Sequence, residues 1–138
     1  MSTRKTELSV KNPYHIEKFR YLELKNFCRQ YHIWKKAYLS LTELSHRPYD
    51  LDIFQKTGVC SDPTANCAIA RMFYSDRIKM VERVAMATDE SLYPYILRAV
   101  TEGISYDVIN VQMGVPCCRN VFYDLYRRFF WLLNKERG

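Results

Sequence analysis

The sequence predicts an all-α fold, with an N-terminal helical hairpin followed by a C-terminal three-helix unit that contains a helix-turn-helix. Large apolar residues recur at spacings of three and four over long stretches, which is the period of an amphipathic helix. Only 4 Gly and 5 Pro interrupt the 138 residues, so few turns are available for a β fold. Apolar residues make up 48% of the chain, enough to build a folded core.

The first arm of the hairpin is predicted over residues 14–46. Asn12 and Pro13 supply a helix cap and a first-turn proline, and the segment from Cys28 to His32 is a candidate bend. Six large side chains form a stripe along one face of this arm, and such a stripe needs a surface to pack on. The chain's own core, a second copy of the chain and a protein partner all remain open as that surface. The stripe consists of Leu24, Phe27, Tyr31, Trp34, Tyr38 and Leu41.

The second arm of the hairpin is predicted over residues 62–87. Asp62 is its candidate cap and Pro63 its first residue, and residues 46–63 before it are expected to form a loop. The predicted organisation is a flexible arm over residues 1–13, a hairpin region over 14–91 and a helix-turn-helix region over 92–138. The apolar face of the second arm consists of Ile69, Met72, Phe73, Met80, Val81 and Val84.

Three shorter helices are predicted next, at residues 92–101, 105–113 and 117–134. Gly103 and Gly114 stand where the first two should end. Ser105 can cap the middle helix, whose apolar face is assigned to Val108, Ile109 and Met113. Gly114 allows a sharp turn because it tolerates positive φ, and Val115 is expected to fill the angle between the helices. A short helix, a tight turn and a longer helix are typical of a helix-turn-helix.

The last predicted helix separates into an apolar and a polar face. The apolar face consists of Phe122, Leu125, Phe129, Leu132 and Leu133. The polar side carries donors that suit duplex DNA, because an arginine fork binds guanine edges and phosphates, and an asparagine amide pairs with adenine. The candidate DNA-binding residues are Arg119, Asn120, Tyr123, Arg127 and Arg128.

The charge balance also favours a polyanionic partner. The net charge is +6, with nine Lys/Arg against four acids in residues 1–46 and five against three in residues 105–138. The five cysteines show no CxxC spacing, and no phosphate-binding glycine loop or nucleophile and base arrangement is visible. We therefore expect no enzyme activity, cofactor or metal. Adjacent Cys117 and Cys118 leave a redox role open.

The N-terminal residues lack the apolar segment of a signal peptide, and no apolar run approaches the length of a membrane span. A cytoplasmic protein without a membrane partner is expected.

Three segments resemble a known group of proteins. They are QYHIWKKAY at residues 30–38, DPTANCAIARMFYSDRIKMVERVA at 62–85 and YPYILRAVTEGISYDVINVQMGVPCCRNVFYDLYRRFFWLL at 93–133. The likeness covers about residues 20–137. The chain resembles small phage and prophage proteins of Gram-positive gut bacteria, related to the RinA/ArpU-type late transcriptional regulators, which in turn resemble region 4 of sigma factors. The resemblance implies a helical hairpin followed by a helix-turn-helix that binds promoter DNA, with or without RNA polymerase.

The sequence therefore predicts a phage-type transcriptional regulator that binds duplex DNA, with RNA polymerase or a sigma factor as a further partner and a homodimer as one possible state. The alternative is a protein-binding module. In that case the aromatic N-terminal half binds RNA polymerase, a sigma factor or a host defence protein, and the helix-turn-helix serves only as scaffold.

Overall fold

The computed structural model describes residues 13–45 and 63–138, and these are helical with short connections. Within these residues no strand occurs, so the predicted all-α class is confirmed. No helix in the same ranges is long and apolar enough to cross a membrane. The predicted arm at residues 1–12 and the predicted loop at 46–62 lie outside the described residues. The helices are α1 (Lys18–Arg29), α2 (Tyr31–Ser45), α3 (Pro63–Thr88), α4 (Tyr93–Glu102), α5 (Tyr106–Met113) and α6 (Arg119–Arg137).

The predicted first arm is two helices, because the chain turns at Gln30. This residue has φ −84° and ψ −5°, and its backbone N–H donates to the carbonyl of Phe27 at 3.2 Å. That bond spans three residues instead of four, which tightens the end of α1. The candidate bend between Cys28 and His32 is thus confirmed, and the aromatic stripe is divided between α1 and α2.

The chain forms two compact units that do not coincide with the predicted boundary at residue 91. The first unit combines residues 13–30 with residues 80–138, and the second comprises residues 31–45 and 63–79. In the first unit α1 packs against α4 and α6, while α4 also packs against α6. Helix α5 packs against both α4 and α6. Helix α1 therefore belongs with the C-terminal helices.

The core of the first unit is centred on α6. Phe129 and Phe130 are almost fully buried, and Ile96 of α4 and Leu24 of α1 have no exposed surface. Leu132, predicted to be buried, is half-buried. The buried face of α6 consists of Phe122, Leu125, Tyr126, Phe129, Phe130 and Leu133.

Polar contacts fix α1 against the C-terminal end of α6. The Arg20 Nε donates to Asn134 Oδ1 at 2.6 Å. Glu23 accepts a hydrogen bond from Arg20 at 3.1 Å and forms an ion pair with Arg137 at 3.6 Å. The guanidinium of Arg137 also lies 3.9 Å from the centre of the Phe27 ring. These contacts set the register of two helices that lie more than a hundred residues apart in sequence.

The apolar face predicted for α3 is only partly buried. Val81 and Val84 are buried, but Ile69, Met72 and Phe73 are 67%, 66% and 46% exposed. This 26-residue helix belongs to both units, and most of its buried positions follow residue 80, where it enters the first one. The apolar face predicted for α3 is therefore buried only in the C-terminal part of the helix.

The second unit contains α2 and the N-terminal part of α3. Tyr31, Trp34 and Cys67 are buried, whereas Tyr38 and Leu41 are half-buried. Together with Leu24 and Phe27 in the first unit, four of the six stripe residues are thus buried within the chain itself. Only the last two retain much accessible surface for a partner.

The predicted helix ends at Gly103 and Gly114 are confirmed. Both glycines have φ +69°. The N–H of Gly103 donates to the carbonyl of Ala99 at 2.8 Å, and that of Gly114 donates to the carbonyl of Asn110 at 2.9 Å. Positive φ is costly for residues with a Cβ, which explains why glycine stands at both positions.

The two glycines provide a matched test. Both substitutions to Ala should destabilise the chain by about 1–2 kcal/mol, because each forces a Cβ into positive φ. Gly103→Ala should cost slightly more, since its Cβ would displace the Arg29 guanidinium from the carbonyl of Glu102, whereas the space around Gly114 is open. Urea unfolding measures the difference. Equal losses for the two variants would show that the bond from Arg29 to Glu102 does not stabilise the chain.

Candidate nucleic-acid interface

The helix-turn-helix comprises α5, a turn over residues 114–118, and α6. Val115 is 8% exposed, as predicted for the residue that fills the angle, and its N–H donates to Asn110 Oδ1 at 3.0 Å. The Tyr106 hydroxyl donates to the carbonyl of Cys117 at 2.6 Å. The turn is therefore held to α5 at both of its ends. Helix α6 begins at Arg119, two residues later than predicted, with Cys118 at its N-cap position.

Ser105 caps α5, as the sequence predicts, and Tyr123 of α6 supplies a second contact at the same helix end. The Ser105 hydroxyl accepts from the N–H of Val108 at 3.4 Å. The hydroxyl of Tyr123 on α6 accepts from the N–H of Tyr106 at 3.2 Å. First-turn N–H groups have no partner inside their own helix, so this phenol satisfies one of them. Tyr123, predicted to contact DNA, thus connects α6 to the start of α5.

Arg119 and Asn120 are exposed in the first turn of α6. The Arg119 Nη2 lies 2.5 Å from both carboxylate oxygens of Asp107, and the two side chains are 58% and 64% exposed. An ion pair this exposed contributes about 1 kcal/mol or less. The guanidinium can therefore exchange Asp107 for another anion at little cost.

The predicted DNA contacts do not form one exposed face. Arg127 is 17% exposed, lies 3.6 Å from Asp124, and lines a small cavity beside Tyr21 and Phe130. Arg128 is exposed. The structure thus presents Arg119, Asn120 and Arg128 to solvent, while Tyr123 and Arg127 are half-buried.

Sequence reasoning missed the exposed apolar side chains of the helix-turn-helix. Of the three residues assigned to the apolar face of α5, only Ile109 is buried; Val108 and Met113 are 41% and 44% exposed. Val111 is 87% exposed and Val121 of α6 is 47% exposed. Val111 stands two positions from Ile109, on the opposite side of the helix, and this spacing was the available signal.

The sequence left open a redox role for Cys117, which would require its thiol to lose a proton easily. The surroundings of Cys117 disfavour that deprotonation. Burial, then the neighbouring Cys118 and Asp89, raise the pKa of the Cys117 thiol above its usual value. Burial likewise raises the pKa of Cys28 far above its usual value. Both thiols therefore stay protonated at neutral pH, and the thiolate is the reactive form. Among the described residues, no three His, Cys, Asp or Glu side chains lie close enough together to hold a metal ion.

Comparison with models of known protein families, with curated proteins and with solved structures finds no match to this chain.

Removal of the Tyr123 hydroxyl tests its structural role. Tyr123→Phe should lower the free energy of unfolding by about 1 kcal/mol, because the Tyr106 N–H loses its acceptor. Tyr95→Phe is the control, since the Tyr95 hydroxyl makes no hydrogen bond with the described residues. Chemical denaturation of both variants measures the effect. Equal stability of the two variants would show that the hydroxyl does not support α5.

Proposed function

We propose that the chain binds duplex DNA through α5 and the N-terminal half of α6, as a phage-type transcriptional regulator. The observation that carries the proposal is the helix-turn-helix itself, with a braced turn and two polar side chains, Arg119 and Asn120, exposed where the second helix begins. In proteins of this architecture the second helix enters the major groove with its N-terminal residues against the base edges. Such a regulator acts in the cytoplasm of a bacterial host cell.

The exposed side chains would contact both the base edges and the phosphate backbone of duplex DNA. The bidentate fork of Arg119 suits a guanine edge or a phosphate, either of which would replace Asp107. The amide of Asn120 suits adenine. Val111 and Val121 present methyl groups of the kind that pack against the methyl group of thymine. Arg128, also exposed, is assigned to the phosphate backbone.

Two of the residues first assigned to DNA contact receive a supporting role in this proposal. Tyr123 holds α5 against α6 through its hydroxyl, and Arg127 pairs with Asp124. Tyr123 would therefore influence affinity through the angle between α5 and α6. A second copy of the chain would allow two half-sites to be read, and the half-buried Tyr38 and Leu41 are the stripe residues that remain for such pairing.

Two arginines of equal exposure allow a controlled test. Arg119 and Arg83 are both 58% exposed, and each pairs with one carboxylate. Arg119→Ala should weaken binding to a duplex pool of random sequence by about tenfold or more, because a contact of this kind contributes roughly 1–3 kcal/mol. Arg83→Ala, which removes the same charge away from α5, should change affinity much less. Fluorescence anisotropy over a series of salt concentrations measures both.

The affinity should also fall steeply as salt increases, since phosphate contacts release counterions. No retention of duplex at low salt would refute the proposal. Equal losses for Arg119→Ala and Arg83→Ala would refute the assignment of the binding face and leave only a general effect of charge.

The protein-binding alternative is favoured by a different observation. Ile69 and Met72 on α3 are about two-thirds exposed, and Ile33 and Leu39 on α2 are 64% and 60% exposed. Contiguous exposed apolar surface often marks a binding site, and Ile69 and Met72 stand three residues apart on one face of α3. In this second proposal the partner is a bacterial RNA polymerase, a sigma factor or a host defence protein.

Purified bacterial RNA polymerase, with and without its sigma factor, tests the second proposal. The chain should co-elute with one of them in size-exclusion chromatography, and Ile69→Asp combined with Met72→Asp should abolish the complex. A complex that survives this double substitution would exclude the exposed face of α3 as its site.

A further inference from the structure

A cleft of about 250 Å³ lies within the first unit, between α1, α4 and α6. The connection from α4 to α5 closes one end of it, through Gly103, Ile104 and Ser105. Its aromatic wall is formed by Tyr123, Tyr126 and Phe130. The proposed DNA-binding function makes no use of this cleft.

Two cations of α1 stand on the opposite wall. Lys25 and Arg29 are one helical turn apart, and both line the cleft. The Lys25 ammonium lies 5.2 Å from the centre of the Tyr21 ring, and no carboxylate among the described residues pairs with it. Arg29 donates one of its N–H groups to the carbonyl of Glu102 at 2.8 Å. The cleft therefore has a cationic side without a resident anion.

Glu102 and Asp107, which lie on either side of the connection from α4 to α5, each pair with an arginine that does not line the cleft. Glu102 accepts from Arg98 at 3.0 Å, and Asp107 is held by Arg119. Neither carboxylate needs Lys25 or Arg29 as its partner. Because the acids are neutralised by other arginines, the cleft keeps a positive balance.

We propose that this cleft binds a small organic anion. Its flat apolar body packs against Tyr123, Tyr126 and Phe130, and its anionic group is held by Lys25 and Arg29. The size fits a compact ligand with one or two rings, since pockets for larger ligands begin at roughly 300 Å³. The cleft combines apolar aromatic surface with convergent charges, and both are features of small-molecule sites.

Tyr123 connects the cleft to the helix-turn-helix. Its ring lines the cleft, and its hydroxyl accepts from the first turn of α5. A bound ligand therefore contacts the side chain that sets the position of α5 against α6. Ligand binding itself requires no nucleic acid, so it can be tested independently of the proposed function.

Naphthalene sulfonate is a suitable probe because it combines two fused aromatic rings with one negative charge, and naphthalenemethanol is its uncharged counterpart. The intact chain should bind one sulfonate probe and show a higher Tm in its presence, since a ligand of the folded state stabilises it. Lys25→Gln and Arg29→Gln should each weaken probe binding by about tenfold, as expected when a charge-assisted contact is lost. Lys25→Arg should restore binding, and Lys35→Gln on α2 should leave it unchanged.

Three results would overturn the proposal: equal binding of the charged and uncharged probes, equal binding by Lys25→Gln, Arg29→Gln and the intact chain, or no binding at all. Displacement of the probe by inorganic phosphate at equal concentration would also contradict it, because the cleft would then recognise charge alone. Should Lys25→Gln fail to fold, the exposed Arg29 provides the deciding variant. No DNA is present, so a failure here is distinct from a failure of DNA binding.

Discussion

A continuous series of aromatic contacts holds the first unit together. It begins at Tyr106 on α5, whose ring centre lies 5.3 Å from that of Phe122, and passes along α6 through neighbouring rings to Phe130. It ends at Tyr21 on α1, whose ring meets Phe130 edge-on at 5.2 Å. Edge-to-face pairs are directional, so they contribute specific geometry in addition to buried area. The positions of α1 and α5 relative to α6 depend on this series.

This dependence explains why the helix-turn-helix cannot be separated from α1. Helices α5 and α6 meet at a short turn, and α1 covers one side of α6. Arg20, Glu23 and Arg137 then fix the register at the far end of α6. The proposed DNA contacts lie at the start of α6 and the proposed ligand cleft lies beside its middle. Tyr123 connects the two, because its ring lines the cleft and its hydroxyl accepts from α5.

Much of the fold could be predicted from the sequence. The spacing of large apolar residues predicted the helices, and Ser105, Gly103 and Gly114 marked ends that the structure confirms. These features depend on local physics: a hydroxyl that caps a helix, or a glycine that accepts positive φ. The turn at Gln30 was suspected only as a bend, because no proline or glycine marks it. The exposure of Ile69 and Met72 could not be predicted, since periodicity identifies an apolar face and not whether a partner covers it.

For the candidate site, the sequence by itself determined that a helix-turn-helix is present and that Arg119 and Asn120 open its second helix. Tertiary structure alone decided that Tyr123 lies against α5, that Arg127 lines a cavity beside Tyr21 of α1, and that Lys25 and Arg29 join α6 around a cleft. The reason is physical. The spacing of apolar residues indicates which side of a helix is buried. Tyrosine and arginine have apolar stems and polar ends, so they suit either side. Only the packing of α6 against α5 and against α1, which lies about a hundred residues away in sequence, settles which side they take.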